Sequence, residues 1–256
     1  MSQVDRRSFL TTAALMTAGA ISAACTQTGS PEQRATLVPL PEHKGLVPLP
    51  KHKEPISVAF LLDEGATVID FAGPWEAFQD AIVSDDDSGF ELYTVAPTRE
   101  SIRATGGMEI VPRYALADTP QPRVVVIPAQ AGGRMVGSTT SPKIEWVRRV
   151  AANADIVMSV CTGAFLLART GLLDGLSATT HHDYYDEFAE QFPEVRLLRG
   201  RRFVDNGKFV TAGGLTSGVD GALHVVARYY GLDAARASAS YMEHHGEGWL
   251  SGMQEL

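Results

Sequence analysis

The stretch DIVMSVCTGAFLLA, residues 155–168, decides the fold, because a strand-like run meets a helix-like run within it. Its first part is largely apolar, which is typical of a buried strand, and its second part is rich in alanine and leucine, which favour a helix. Cys161 lies at the junction, directly before Thr162 and Gly163. This position raises the question of whether the cysteine is a nucleophile or a packing residue.

Strand-like runs alternate with helical patterns along the rest of the chain. ISVAFLL (56–62) has no polar alternation, as expected of a strand covered on both faces, and helical spacing follows at Phe71, Trp75, Phe78 and Ile82. Further segments of these two kinds, and one hairpin signal at Asn-Gly, are FELYTVAP (90–97), PRVVVIPA (122–129), KIEWVRRVAANA (143–154), RRFVDNGKFVTA (201–212), TSGVDGALHVVARYYG (216–231) and DAARASASYMEHH (233–245). The alternation predicts a three-layer, doubly wound α/β sandwich with a mostly parallel central sheet.

The first residues have the pattern of an export signal. In DRRSFLTTAALMTAGAISAAC (5–25), paired Arg6 and Arg7 precede a mildly apolar segment that is too short for an ordinary transmembrane helix. The segment ends in small residues before Cys25, as in a lipoprotein processing site, although Ser22 stands where such sites usually have Leu or Val. A buried N-terminal helix is the alternative, but the apolar residues form no helical stripe. We expect export by the twin-arginine route to the periplasm or cell envelope, with Cys25 as the lipidated residue.

A proline-rich tandem repeat follows the signal. LVPLPEHKG (37–45) is succeeded by LVPLPKHKE (46–54), and their prolines exclude a helix or the interior of a sheet. The repeat is either a stalk or a slipped duplication in an unconstrained linker, and both interpretations predict a semi-extended spacer without fixed structure. We therefore divide the chain into a signal, a linker, a domain and a tail, at residues 1–25, 26–55, 56–245 and 246–256.

Composition excludes several partner classes. The net charge of −8 over 256 residues, without a Lys/Arg-dense stretch, disfavours a nucleic-acid partner, and a membrane contact is expected only through the lipid. No cofactor is expected, since no glycine-rich phosphate motif follows a strand. No metal is expected either: His244 and His245 are adjacent on a predicted helix, point in different directions, and are interpreted as surface residues.

The spacing Ser159-x-Cys161-x-Gly163 is that of a nucleophile elbow with cysteine in place of serine. In such an elbow we expect a helix N-terminus to lower the pKa of the thiol and the sharp turn to expose the sulfur. A free cysteine is also among the most buried residue types and often acts only as a small hydrophobe. Both interpretations stay open, and the spacing favours the nucleophile.

Three segments resemble one family. VCTGAFLLARTGLLDG (160–175), ATTHH (178–182) and GATVIDFAGPWEAF (65–78) are similar to the ThiJ/PfpI family of the class I glutamine-amidotransferase-like superfamily, over about residues 56–241. The closest branches are the isocyanide hydratases and the ligand-sensing domains of AraC-type regulators, which carry a Cys-Thr-Gly elbow. The resemblance implies a flavodoxin-like fold and a homodimer.

The resemblance also assigns a partner to Cys161. Asp70 occupies the position of an acidic residue that the family hydrogen-bonds to the nucleophile, and a carboxyl beside a thiolate retains its proton and can exchange it with a substrate. From the sequence alone Asp70 has an alternative role as the N-cap of the following helix, and both roles can hold together. Thr162 is expected to stabilise an intermediate through its backbone N–H and hydroxyl, or to serve only the helix backbone.

Further residues are expected to line the pocket in supporting roles. The loop IPAQAGG (127–133) departs from the family, in which a glycine pair directly follows the proline, so the shape of an oxyanion hole formed here is altered. The supporting residues are Ala129, Gln130, Gly163 and His181.

The leading functional hypothesis is a cysteine-dependent hydratase or hydrolase of a small molecule, most like isocyanide hydratase, which adds water to an isonitrile to give an N-substituted formamide. One alternative is an exported, non-catalytic ligand-binding module related to the sensor domains. Another is a redox or stress protein in which Cys161 is oxidised to a sulfinate.

Overall fold

The computed structural model describes residues 47–84, 87–134 and 140–250. The chain divides into two units, 1–40 and 41–256, and all described residues belong to the second. The predicted export signal, the lipidation site Cys25 and the first repeat copy therefore lie outside the described residues. Within the described part, no helix is both long enough and apolar enough to span a bilayer.

The secondary structure alternates as the sequence predicts. The strands are β1 Ile56–Leu61, β2 Phe90–Ala96, β3 Ile102–Arg103, β4 Glu109–Ile110, β5 Tyr114–Ala115, β6 Val124–Ile127, β7 Ile156–Val160, β8 Ser177–Ala178, β9 Arg196–Leu197, β10 Phe203–Asp205 and β11 Phe209–Ala212. The helices are α1 Val68–Gln79, α2 Pro142–Ala151, α3 Gly163–Arg169, α4 Tyr185–Gln191, α5 Ser217–Tyr230 and α6 Leu232–Tyr241.

One sheet organises these elements, in the strand order β10-β11-β7-β6-β1-β2-β5. Its neighbours pair in parallel, except for the hairpin of β10 and β11. One face packs against α1, α5 and α6, and the other against α2, α3 and Phe188 of α4, so that each face has its own apolar core. The predicted three-layer, mostly parallel sandwich is confirmed, and β7, which leads to Cys161, lies in its interior.

Helix α1 begins earlier than the sequence suggests. Its N-cap is Thr67, and Asp70 lies in the first turn with its side chain fully buried. The interpretation of Asp70 as the N-cap is therefore wrong. Since a cap residue has one oxygen committed to the helix backbone, the carboxyl of Asp70 is available for contacts across the sheet edge.

The second copy of the repeat is packed against the domain. Leu49 N–H donates to the carbonyl oxygen of Arg228 (2.8 Å), and the Arg228 side chain donates back to the carbonyl oxygen of Val47 (2.9 Å). The Leu49 side chain adds to the core on the α5 face, and His52 bonds to Asp155 at 3.0 Å. The expectation of a spacer without fixed structure is wrong for residues 47–54, because backbone groups that proline leaves free are satisfied by α5.

The end of the described chain is also packed. Residues Gly248–Leu250 form a 3₁₀ turn in which Trp249 is buried. The segment predicted as a tail from residue 246 thus contributes to the core through Trp249, and Leu250 packs against that core.

Close packing at the β7–α3 junction requires a glycine. A Cβ atom on Gly163 would lie 2.0 Å from the carbonyl oxygen of Ile127 and 3.0 Å from the carbonyl carbon of Pro128. Both neighbours are backbone atoms of the strand β6 and its exit loop, which cannot move without disturbing the sheet. Gly163 therefore sets how closely the helix after Cys161 approaches the loop after β6.

We predict that Leu49→Ala lowers the free energy of unfolding by about 1 kcal/mol, because part of a leucine side chain loses its apolar contact. Leu40→Ala is the matched control, since Leu40 holds the same place in the first copy and the groove beside Arg228 is already filled by Leu49. Urea denaturation of both variants measures the difference. Equal losses in the two variants would show that docking of the second copy contributes nothing specific.

We predict that Gly163→Ala costs about 3 kcal/mol or more, because the new methyl group collides with rigid backbone. Gly221→Ala is the comparison within a helix on the opposite face of the sheet: its Cβ would lie 2.7 Å from the terminal methyl group of Met158, which can rotate away. Thermal unfolding should give a clearly larger loss for the first variant. A loss for Gly163→Ala no larger than for Gly221→Ala contradicts the packing argument.

Candidate active site

Cys161 lies on a strained turn between β7 and α3. Its φ angle is +58°, a conformation that is uncommon for a residue with a side chain. The Cys161 N–H donates to the carbonyl oxygens of Gly213 (2.8 Å) and Ala212 (3.2 Å), and the Thr180 hydroxyl donates to the Cys161 carbonyl oxygen (2.9 Å). These hydrogen bonds stabilise the strained backbone conformation of Cys161, which is the conformation that a nucleophile elbow requires.

The Asp70 carboxyl group lies beside this turn. Its Oδ2 atom accepts a hydrogen bond from the Ala129 N–H (3.1 Å), while its other oxygen, Oδ1, is buried and has no hydrogen-bond partner among the described residues. The thiol of Cys161 and the backbone N–H of Leu215 are close enough to lower the pKa of the carboxyl. The carboxyl is therefore held at one oxygen and open at the other.

Burial dominates the protonation of this pair. Removal from water raises the pKa of Asp70 to about 6, against the lowering effects of its hydrogen-bond donors. Burial, and then the nearby charge of Asp70, raise the pKa of Cys161 to about 12, and the N–H groups of Thr162 and Leu215 only partly oppose this. Cys161 is 6% exposed. The expectations of a lowered thiol pKa and an exposed sulfur are both wrong, because a short helix N-terminus cannot outweigh desolvation beside a second acid.

This arrangement supports proton transfer within the pair. At neutral pH the carboxyl is ionised and the thiol is protonated, so the pair carries one negative charge and one transferable proton. Passing that proton to Asp70 creates a thiolate next to a neutral carboxyl, without burying a second charge. The pair can therefore pass a proton between its two members without changing its net charge.

Leu215 is a site residue that the sequence did not reveal. It lies in the loop between β11 and α5 with a φ angle of +52°, and its N–H lies close to both the cysteine and the aspartate. A leucine in a left-handed conformation leaves no sequence signal, since the side chain type carries no information about its backbone N–H.

Thr162 is in place for one of its two expected roles. Its backbone N–H is close to the sulfur of Cys161 and favours the thiolate. Its side chain is buried and makes no capping hydrogen bond to α3, so the hydroxyl does not serve the helix backbone.

The loop after β6 is built differently from an open oxyanion hole. The Ala129 N–H already donates to Asp70 and its carbonyl oxygen accepts from Thr67 N–H, so Ala129 positions the acid. Gln130 is 8% exposed, and both polar atoms of its side chain lack a partner among the described residues. Gly163 acts through close packing. Of the loop residues, Gln130 retains free hydrogen-bonding capacity.

His181 supports the loop that carries Leu215. Its ring lies against Gly214, where a Cβ atom would come within 2.3 Å of the ring carbon Cδ2. Its Nδ1 atom accepts from the Asp183 N–H at 3.2 Å and caps the following turn. The histidine therefore holds backbone, in keeping with a supporting role.

One His/Asp cluster lies beside the loop, formed by His181, His182 and Asp183. The two imidazole rings stack at 4.4 Å with 24° between their planes. The lone pairs of stacked rings run side by side and do not converge on one ion, so the donors fit a metal poorly. His244, interpreted from sequence as a surface residue, instead bonds to the buried Asp220 at 3.0 Å.

Comparison with known proteins agrees with this architecture. Isonitrile hydratase from Pseudomonas putida is 30% identical over 192 residues, which cover 74% of this chain and 78% of that protein. The HTH-type transcriptional regulator GbdR of Pseudomonas aeruginosa is 28% identical over 186 residues, 72% of this chain, and the match spans about half, 49%, of the regulator.

Solved structures show the same fold. A ThiJ/PfpI family protein from Pseudomonas syringae superposes with a TM-score of 0.66 at 23% identity, over 87% of this chain and 84% of that one. DJ-1beta from Drosophila melanogaster gives 0.62 at 19% identity, over 74% and 98%. The DJ-1/PfpI family model matches residues 56–228, from β1 into α5. The chain therefore belongs to the DJ-1/PfpI family.

Proposed function

We propose that the protein is a cysteine-dependent hydratase of a small isocyanide. The observation that carries the proposal is the buried pair of Cys161 and Asp70, in which the carboxyl oxygen Oδ1, without a hydrogen-bond partner among the described residues, is free to take and return a proton. The similarity to isonitrile hydratase supports the choice of substrate class. Isocyanides suit such a site, because their terminal carbon accepts a soft nucleophile and must then be protonated.

The proposed reaction begins with a proton transfer. The Cys161 thiol gives its proton to Asp70 while the sulfur bonds to the terminal isocyanide carbon, and Asp70 then protonates that carbon to give a thioimidate, R–N=CH–S. Asp70, ionised again, takes a proton from water as the water oxygen bonds to the same carbon, and passes it to nitrogen. The C–O–H proton returns through Asp70 to sulfur as the C–S bond breaks, which releases R–NH–CHO and the thiol.

Two backbone donors serve the sulfur during these steps. The N–H groups of Thr162 and Leu215 lie near it and stabilise the thiolate that forms on attack and on collapse. Gln130, whose amide donor and acceptor have no partner within the part of the chain that the structure describes, is suited to hold the added water or the formamide group.

A ligand-binding module without turnover is the second candidate. The similarity to GbdR favours this candidate. The burial of Cys161 also favours it, because a nucleophile open to substrate would be more exposed. In that case Asp70 and Gln130 would bind a polar ligand and Cys161 would pack.

The location and assembly of the protein are proposed with its activity. The paired arginines and Cys25 support export by the twin-arginine route, with a lipid anchor in the cell envelope. A homodimer is proposed from membership of the family. Globomycin-sensitive processing at Cys25 and sedimentation of the purified chain test these two proposals separately.

We predict that the protein converts cyclohexyl isocyanide to N-cyclohexylformamide, and that Cys161→Ala abolishes the product, because Cys161 supplies the thiol beside Asp70. Cys25→Ala, which removes the second cysteine of the sequence, is the control and should leave the rate unchanged. Chromatographic measurement of formamide checks both variants. Undiminished product from Cys161→Ala would disprove the nucleophile, and stabilisation by ligands without any turnover would favour the binding module.

We predict that kcat/KM rises with pH through a midpoint near 6 and reaches a plateau in the neutral range. Below the midpoint Asp70 is protonated and cannot accept the thiol proton, and above it the carboxylate can. Asp70→Asn should reduce the rate at least about 100-fold, the usual scale of a lost general base. Asp63→Asn is the matched control, since Asp63 lies in the loop before α1 and its partly buried carboxyl pairs with Lys143. A midpoint near 6 that persists in Asp70→Asn would assign the titration to another group.

A further inference from the structure

A second buried cluster lies outside the reacting groups. Asp220, in the first turn of α5, has a side chain that is only 2% exposed. Its Oδ2 atom accepts from Arg202 Nε at 2.6 Å and pairs with Arg202 Nη2, and its Oδ1 atom lies 3.0 Å from His244 Nε2. A buried carboxylate held on both oxygens has a fixed orientation, and removal of one partner leaves charge uncompensated.

Arg202 connects this cluster to the loop over the thiol. Its Nη2 atom donates to the Thr216 hydroxyl at 3.4 Å, and its carbonyl oxygen accepts from the Gly213 N–H at 2.9 Å. Gly213 in turn accepts from the Cys161 N–H. Arg202 therefore forms hydrogen bonds to both ends of the four-residue loop 213–216, whose third residue is Leu215.

The segment after α6 closes the cluster from the other side. The backbone N–H of His244 donates to the carbonyl oxygen of Ala239 at 2.8 Å, which fixes the chain after α6 beside the imidazole contact with Asp220. Gly248 passes so close to Asp220 that a Cβ atom there would lie 2.5 Å from the carboxylate. Burial of Trp249 anchors this crossing. The C-terminal segment thus reaches the active-site loop through one carboxylate.

We propose that Arg202, Asp220 and His244 are positioning residues that hold the Leu215 N–H against the pair of Cys161 and Asp70. The left-handed conformation of Leu215 is strained and persists only where the surroundings over-determine it. That N–H lowers the pKa of both reacting groups, so its displacement makes the thiolate harder to form. The inference deepens the proposed function and rests on the reactivity of Cys161.

The test compares adjacent histidines in the full chain. His244→Ala removes the contact to Asp220, His245→Ala changes the exposed neighbour, and His244→Gln restores a donor of similar length. The rate at which iodoacetamide alkylates Cys161 is measured by peptide mass spectrometry at pH values from 5 to 9. This rate reports thiolate formation and needs no isocyanide. Formamide production and thermal unfolding are measured on the same samples.

We expect His244→Ala to slow alkylation of Cys161 roughly tenfold, a smaller effect than complete removal of a hydrogen-bond donor to the sulfur, because the Leu215 N–H is displaced and not lost. We also expect the pH midpoint of alkylation to rise above 6. His245→Ala should match the parent, and His244→Gln should recover most of the rate. Arg202→Lys keeps the charge but loses the forked geometry, and should give the same direction of change if His244→Ala does not fold.

The outcomes separate the positioning role from the proposed function. A lower unfolding temperature in His244→Ala with unchanged alkylation rate and midpoint would reduce the cluster to a structural role and overturn the inference. Slower alkylation in a protein that never yields formamide would support the positioning role while overturning the hydratase. Equal effects of His244→Ala and His245→Ala would also overturn the inference.

Discussion

The site depends on a single constraint: two acids, Cys161 and Asp70, are buried together where only one negative charge is tolerated. Because burial raises the pKa of both groups, the proton removed from one must be taken up by the other. A thiol with a pKa near 12 would be inert alone. Beside a carboxyl with a pKa near 6, whose Oδ1 has no hydrogen-bond partner among the described residues, the thiol can lose its proton without any charge entering or leaving the site.

The surrounding backbone holds Asp70 and Cys161 next to each other. Ala129 holds one oxygen of the acid, and the carbonyl groups of Ala212 and Gly213 hold the N–H of the cysteine. Each contact comes from a different segment, and the segments meet because parallel strands deliver their carboxyl ends to one edge of the sheet. Substitution of Gly163 would separate them, since the helix after the cysteine passes against the exit of β6 without room for a methyl group.

The described start of the chain lies at the other end of the sheet. Val47 and Leu49 contact Arg228 near the end of α5, and His52 contacts Asp155 just before β7 begins. Cys161 follows the end of the same strand. The contact of His52 with Asp155 and the turn at Cys161 therefore lie at opposite ends of β7.

The sequence by itself determined the sandwich, the elbow and the identity of the pair, because strand and helix periodicity, the spacing around Cys161 and the family pattern at Asp70 are local properties. It did not determine the docking of residues 47–54, the burial of the sulfur or the part played by Leu215. Docking depends on a groove beside Arg228, and the pKa of Cys161 depends on how much water the assembled layers exclude. The N–H of Leu215 acts through backbone conformation, which Arg202 and Asp220 impose from distant segments. Only the tertiary structure decided these features, since desolvation and long-range hydrogen bonds arise when the elements pack together.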